Sequence, residues 1–335
     1  MTFSKILMDW YKINSRKLPW RNIKDPYIIW LSEIILQQTR IEQGLPYYKT
    51  FIKAFPTVYD LAKSKEEKIY KLWQGLGYYS RAANLHLTAK KIVNEYNGVF
   101  PSSHDELKSL RGIGDYTASA IGSICFDLPE AVVDGNVFRF FSRFFGIKTP
   151  INSQKGFKLF KIKGNKLIKN QSPGDFNQAL MDFGSIQCKP KDPDCRVCVF
   201  SKKCYALKYN KVESLPVKIK KSSIRIRYLN YLVFHNSKHQ TVLEQIKSKG
   251  IWHKLYQYPI LESEGLLKNP NEKFDHIINR YSNETKPPIK SILEKPIVHK
   301  LSHQKLIIQF WKIELSNSSI LPIEKVKVFS FPVPI

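Results

Sequence analysis

Leu110-Arg-Gly-Ile-Gly-Asp-Tyr-Thr-Ala118 lies between two runs of helical periodicity. Gly112 and Gly114 permit a tight turn whose bare backbone N–H groups point outward, at the start of a helix led by Asp115 to Ala120. A turn of this kind holds a phosphate without needing a cationic side chain. Gly-x-Gly alone is more often an ordinary connection between helices, so its surroundings must decide. The chain carries 54 Lys+Arg against 28 Asp+Glu, a formal net charge of +26. A lysine-rich composition could be indifferent to function, but a field of this size favours a polyanionic partner. In that setting the segment reads as a helix-hairpin-helix that grips a DNA backbone, where phosphate contacts fix register and carry no sequence information.

Outward from the hairpin, residues from Met1 to about Leu207 read as almost all helix. Thr57, Ser64 with Glu67, and Ser103 with Glu106 mark helix starts, the last two as capping boxes. Ile92, Val93 and Tyr96 form one apolar stripe, and Phe157, Phe160 and Ile162 another. Met1 to Trp10 reads as an amphipathic helix with Phe3, Ile6, Leu7 and Trp10 on one face. It lacks the apolar core and cleavage site of a signal peptide, and no apolar run approaches transmembrane length, so a soluble intracellular protein is expected. From about Lys208 the texture changes. Pro216-Val-Lys-Ile-Lys-Lys221 looks like a basic linker, and alternating segments follow at Ile224 to Phe234, His239 to Gln245 and Leu306 to Leu315. The length of 335 residues suggests two domains, and the expected class is α+β.

Two carboxylates stand in contrasting settings. Glu33 lies in Tyr27-Ile-Ile-Trp-Leu-Ser-Glu-Ile-Ile-Leu36, an acid between apolar flanks, and burial there would raise its pKa towards neutrality. Asp134, in Val132-Val-Asp-Gly-Asn-Val-Phe138, precedes a helix with Phe138, Phe141 and Phe144. By itself it is a plain N-cap. An N-cap carboxylate is also one held ionised by helix dipole and amide donors. A neutral acid beside a charged one is the division of labour used in glycosidic cleavage.

Cys188, Cys195, Cys198 and Cys204 are spaced Cys-x6-Cys-x2-Cys-x5-Cys in a stretch rich in Lys, Pro and Asp. Disulfides, a zinc site and an iron–sulfur cluster all remain open on spacing alone. The x6 gap without a second Cys-x2-Cys knuckle leans towards a four-iron, four-sulfur cluster. Cys125 lies in an apolar run and reads as a packed core thiol.

The cysteine spacing, the Leu110–Ala118 segment and Val133-Asp-Gly-Asn-Val137 together resemble the endonuclease III superfamily of DNA glycosylases. Leu18-Pro-Trp-Arg21, Trp30-Leu-Ser-Glu-Ile-Ile-Leu-Gln-Gln-Thr-Arg40 and Gly75-Leu-Gly-Tyr-Tyr-Ser-Arg81 resemble its MutY branch, the adenine DNA glycosylases. The likeness spans roughly residues 3 to 207. It implies one [4Fe-4S] cluster on the four cysteines, bracing a basic loop with Lys189, Lys191, Arg196, Lys202 and Lys203. The implied organisation is a helical region at 1–207 (a six-helix domain at 24–130 and a cluster domain of 1–23 plus 131–207), a linker at 208–225 and a Nudix-like domain at 226–335.

The resemblance also implies site residues. Glu33 corresponds to the general acid on adenine N7, Asp134 to the transition-state stabiliser and Asn136 to a residue that orients the site. Tyr116 stands where bifunctional relatives place a lysine nucleophile. A phenol cannot form a Schiff base, so lyase chemistry should be weak or absent, and Tyr116 is expected to hydrogen-bond Asp134. Arg21 and Glu33 would line the pocket for the flipped adenine, with Gln38 and Tyr78 filling the vacated stack. Leu76 would contact DNA or serve as core, and Gly112 and Gly114 would hold the backbone.

Gly250-Ile-Trp-His-Lys-Leu-Tyr-Gln-Tyr-Pro259 and Leu301-Ser-His-Gln-Lys-Leu306 resemble segments of the family's Nudix-like domain, where Ser302 and His303 would read 8-oxoguanine. Leu301 and His253-Lys254 depart from the family pattern, and no segment for pyrophosphate hydrolysis is present. The implied partner is double-stranded DNA with adenine opposite 8-oxoguanine or guanine. A cytoplasmic, nucleoid-associated monomer without membrane contact is expected. A thymine-glycol or thymine-mismatch glycosylase of the same superfamily is the alternative.

Overall fold

The computed structural model describes residues 2–219, 224–237, 240–248, 250, 252–253, 255–268, 270–284, 286–301 and 304–315. Ser302 and His303 lie outside the described residues. The chain divides into two compact units, one of residues 1–72 and 81–220, the other of residues 73–80 and 221–335.

The first unit is helical. Its elements are α1 (Phe3–Asn14), α2 (Pro26–Leu36), α3 (Ile41–Ala54), α4 (Val58–Lys63), α5 (Glu66–Trp73), α6 (Ser80–Tyr96), α7 (His104–Ser109), α8 (Asp115–Cys125), α9 (Gly135–Phe145), α10 (Gln154–Ile168), α11 (Pro173–Ile186) and the short α12 (Tyr205–Lys208). Thr57 closes a full capping box with Asp60, and Ser103 caps α7 through the Glu106 N–H. Ser64 does not start a helix. It ends α4, and its hydroxyl turns to the Lys65 carbonyl, so the expected box with Glu67 is replaced by a start at Glu66. The apolar stripe of α1 buries Leu7 and Trp10 against Phe140 and Phe141 of α9 and Phe176, Leu180 and Phe183 of α11. α2 is apolar almost all round: Ile29, Trp30, Leu31, Ile34 and Ile35 are buried, which makes it a central helix that packs on α3 and α8.

The second unit is built on a mixed sheet of β1 (Arg225–Asn236), β4 (Ile260–Ser263), β5 (Ile289–Ser291), β6 (Ile297–Lys300) and β7 (Gln304–Leu315), beside a small β2 (Glu244–Gln245) and β3 (Tyr256–Gln257) pair. β1 and β7 run parallel from Arg225↔Gln304 to Asn236↔Leu315, and β4, β5 and β6 flank them antiparallel. Parallel strands need both faces covered. On one face α13 (Asn271–Tyr281) sets Phe274, Ile277 and Ile278 against Leu232, Phe234, Trp311 and Ile313. On the other, Trp252, Tyr258 and Leu301 pack on Leu229, Tyr231, Leu306 and Ile308. The expected strand from His239 shrinks, among the described residues, to Glu244–Gln245. No helix among the described residues is long and apolar enough to cross a membrane.

Candidate active site and cysteine pocket

A cleft of about 720 Å³ opens in the helical unit, lined by Arg21, Glu33, Gln38, Tyr116, Asp134, Asn136 and Met181 among others. α2 delivers Glu33 to it. Asp25 caps that helix through the N–H groups of Tyr27 and Ile28, with Pro26 at the first turn. At the other end, Arg81 Nη1 donates to the carbonyls of Ile35 (2.9 Å) and Gln37 (2.6 Å) and lies 3.2 Å from that of Ile34. A buried cation on the last carbonyls complements the negative end of α2.

Glu33 is half-buried, and burial pushes its carboxyl up to about 7; a hydrogen bond from Tyr116 and the nearby charge of Arg21 pull it down, while the charge of Asp134 raises it. The Tyr116 hydroxyl lies 3.4 Å from Met181 Sδ and acts as the hydrogen-bonding neighbour of the Glu33 carboxyl. The sequence placed Asp134 in that role. Asp134 acts on the ring only through its charge, and burial drives the phenol well above its ordinary pKa.

Asp134 caps α9 as expected. Its Oδ1 accepts from the N–H groups of Asn136 (2.9 Å) and Val137 (2.8 Å), and its Oδ2 from Asn136 Nδ2 (2.7 Å). Burial nevertheless raises its pKa, and these donors hold the rise back. All three neighbours can only donate, so they suit the carboxylate form. Gly184 lets α11 come this close, since a Cβ there would sit 2.7 Å from Asn136 Cβ.

Arg139 was invisible as a site residue in the sequence. Its Nη2 donates to Asn136 Oδ1 (2.9 Å) and its Nε to the Cys188 carbonyl (2.7 Å), which joins the Asp134 cap to the cysteine loop. Arg16, Gln178 and Asp182 also escaped notice. Arg21 lines the cleft, but its guanidinium is occupied: Nη1 donates to the Tyr11 hydroxyl (2.6 Å) and to Gln178 Oε1, and Nη2 to Asp182 (2.8 Å).

In the hairpin, Gly112 has φ +79°, and a Cβ there would press to 2.9 Å from Asn84 Cβ, so glycine is required on both counts. Gly114 precedes α8 with no side-chain cap and open space around it. Gln37 Nε2 reaches the Gly112 carbonyl and Thr117 Oγ1, each at 3.3 Å, and so ties the end of α2 to the hairpin. Its neighbour Gln38 is exposed with φ +54°, a left-handed conformation that turns it out of the helix path. In the second unit Tyr78, at φ +48°, is likewise exposed, whereas Leu76 is 5 % exposed and belongs to the core.

Cys188, Cys195, Cys198 and Cys204 all line one pocket walled by Phe140, Phe144, Phe183 and Phe200. None is in a disulfide. Arg143 Nη1 lies 3.6 Å from Cys188 Sγ. Among the described residues no three His, Cys, Asp or Glu side chains are close enough to hold a single metal ion. Cys125 stands apart, its thiol pushed up to about 12 by burial.

Residues 31–162 match the HhH-GPD superfamily of base excision DNA repair proteins, the class to which a hairpin and an acid-bearing cleft of this kind belong. The adenine DNA glycosylase of Buchnera aphidicola from Schizaphis graminum is 37 % identical over 78 % of this chain and 76 % of its own length. That of Buchnera aphidicola from Baizongia pistaciae is 35 % identical over 98 % and 89 %. The chain belongs to the adenine DNA glycosylase family, hydrolases of N-glycosyl bonds. A solved thermostable thymine-DNA glycosylase is also similar, with a TM-score of 0.58 at 30 % identity, over 62 % of this chain and 95 % of its own.

Arg81→Met would leave the carbonyls at the end of α2 without their cation. Stability should fall by about 3 kcal/mol, read by denaturant unfolding, and unchanged stability would rule out the clamp.

Proposed function

We propose that this protein removes adenine mispaired with 8-oxoguanine, or less tightly with guanine, from duplex DNA. The observation that carries the reading is a carboxyl group poised near neutrality in the same cleft as a carboxylate held by three donors. Adenine flips into the cleft, at the cost of unstacking. Glu33, protonated, gives its proton to the leaving base at N7, while Tyr116 donates to Glu33 and fixes its orientation. Asp134 stabilises the oxocarbenium sugar, and water completes the hydrolysis. Among the described residues lining the cleft there is no lysine, which supports hydrolysis without strong lyase activity.

The hairpin and the basic surface hold the backbone, and exposed Gln38 and Tyr78 occupy the space left in the stack. The C-terminal unit acts as a Nudix-like reader of the opposite base, with Ser302 on the oxidised edge and His303 beside it. We assign one [4Fe-4S] cluster to the four cysteines. When bound it braces the loop of residues 188–204, and Arg139 and Arg143 carry that support towards α9. The enzyme works as a monomer in the cytoplasm, on the nucleoid. The likeness to a thymine-DNA glycosylase keeps mismatched thymine as the second substrate to test.

The deciding experiment is single-turnover release of adenine opposite 8-oxoguanine, with strand breakage read before and after alkali. Breakage only after alkali is expected. Direct nicking, or release of thymine in place of adenine, would overturn the reading. Glu33→Gln should cut base release by about 10³-fold while duplex binding survives. Because Glu33 must be protonated and its pKa is raised to about 7, the wild-type rate should be full below that pH and decline as pH rises through it.

Ser302→Ala should weaken the preference for 8-oxoguanine over guanine; equal preference in mutant and wild type would remove Ser302 from that role. Iron and sulfide analysis of the purified protein should give about four of each per chain, with absorption in the visible range. Stoichiometric zinc would assign the pocket otherwise.

A further inference from the structure

Arg16 and Arg21 both line the cleft that holds Glu33, and both are drawn away from it by one carboxylate. Asp182 of α11 is fully buried. It accepts from Arg16 Nε at 2.7 Å, the Arg16 N–H at 3.0 Å and Arg21 Nη2 at 2.8 Å, with Arg16 Nη2 in ion-pair contact at 2.6 Å. Both arginines come from the segment between α1 and α2, where a guanidinium would ordinarily reach for solvent. Burying such a group of charges is costly compared with apolar packing, and the arrangement does more than tether the segment. Two cations and one anion leave a local charge of +1 in place of +2. The Arg21 charge already acts on Glu33 to favour its ionised form, and a guanidinium freed within this cleft would act on the acid more strongly.

We propose that Asp182 is a positioning residue for base excision: it holds Arg16 and Arg21 back from Glu33 and cancels one of their two charges. The inference rests on Glu33 acting as the general acid. Glu33 is faced by Tyr116 from α8, Asp134 from the start of α9 and Arg21 from the segment before α2. Asp182 is faced by Arg16 and Arg21, with Tyr11 of α1 alongside Arg21. Asp182 is therefore the one anion in this group that is engaged by both cations.

The test is single-turnover base release by the full chain across about pH 5 to 9, with duplex binding and thermal melting measured in parallel. Asp182→Asn removes the negative charge that offsets Arg16 and Arg21, so the alkaline limb should move to lower pH. A displacement of about one pH unit lowers the rate about tenfold near pH 8 and leaves it nearly unchanged near pH 5. Arg16→Met removes a cation and should move the limb the opposite way. A limb that stays in place in both variants overturns the role of Asp182, even if rates fall uniformly, because lost packing scales the whole profile. A wild-type profile without an alkaline limb would overturn the general-acid reading, and this inference with it. If Asp182→Asn melts below the assay temperature, the direction of the Arg16→Met shift decides alone.

Discussion

An acid set in an apolar helix is the constraint on which the rest of the helical unit depends. α2 must be buried nearly all round, and its one carboxyl must then face either a cation or a cavity. A cation would make Glu33 a structural ion pair with a depressed pKa. The cavity leaves it protonable near neutrality. Much of the surrounding architecture maintains that choice. Arg81 holds the end of the helix by its backbone and not by its acid, Tyr116 offers a neutral donor, and Arg16 and Arg21 are engaged by Asp182.

The second carboxylate is positioned by different means. Asp134 is fixed by the start of a helix, so its geometry follows from local backbone and needs no distant partner. What is distant is the support of Asn136. It passes through Arg139 to the carbonyl of Cys188, so the order of the cysteine loop bears on the cap that holds Asp134. A loop of four cysteines some fifty residues further along the chain is thus linked to the cleft through Arg139.

What the sequence disclosed, and what it hid, follows from the range of the interactions involved. The hairpin, the Asp134 cap and the caps at Thr57 and Ser103 are local rules written within a few residues, and each is found where its residues predict. Glu33 could be read because its flanks are greasy over a whole helix. Ser64 misled because a serine can end one helix as readily as begin the next. The partner of Tyr116 and the buried aspartate beneath Arg16 and Arg21 depend on contacts across more than 80 residues. Nothing in the short run Met181-Asp-Phe183 distinguishes Asp182 from a solvated helix residue. Left-handed Gln38 was named for its place in a motif, but its outward turn goes with Arg81 gripping the chain on both sides of it, at the Gln37 carbonyl and the Thr39 hydroxyl.

The net charge of +26 sets a conflict that the cleft must resolve. The same cations that draw a polyanion would, acting on Glu33, favour its ionised form and remove the proton that the chemistry uses. Solvent settles most of this, since exposed charges more than about 8 Å away are largely screened at physiological ionic strength. Screening fails for cations inside the cleft wall, where water is scarce and Coulomb energies are several-fold larger. Arg16, Arg21 and Arg40 line that wall, and Asp182 is the anion placed against the first two. On the proposed mechanism, long-range attraction for the duplex and a protonated acid at the reacting base can coexist because one is a property of the solvated surface and the other of a locally balanced interior.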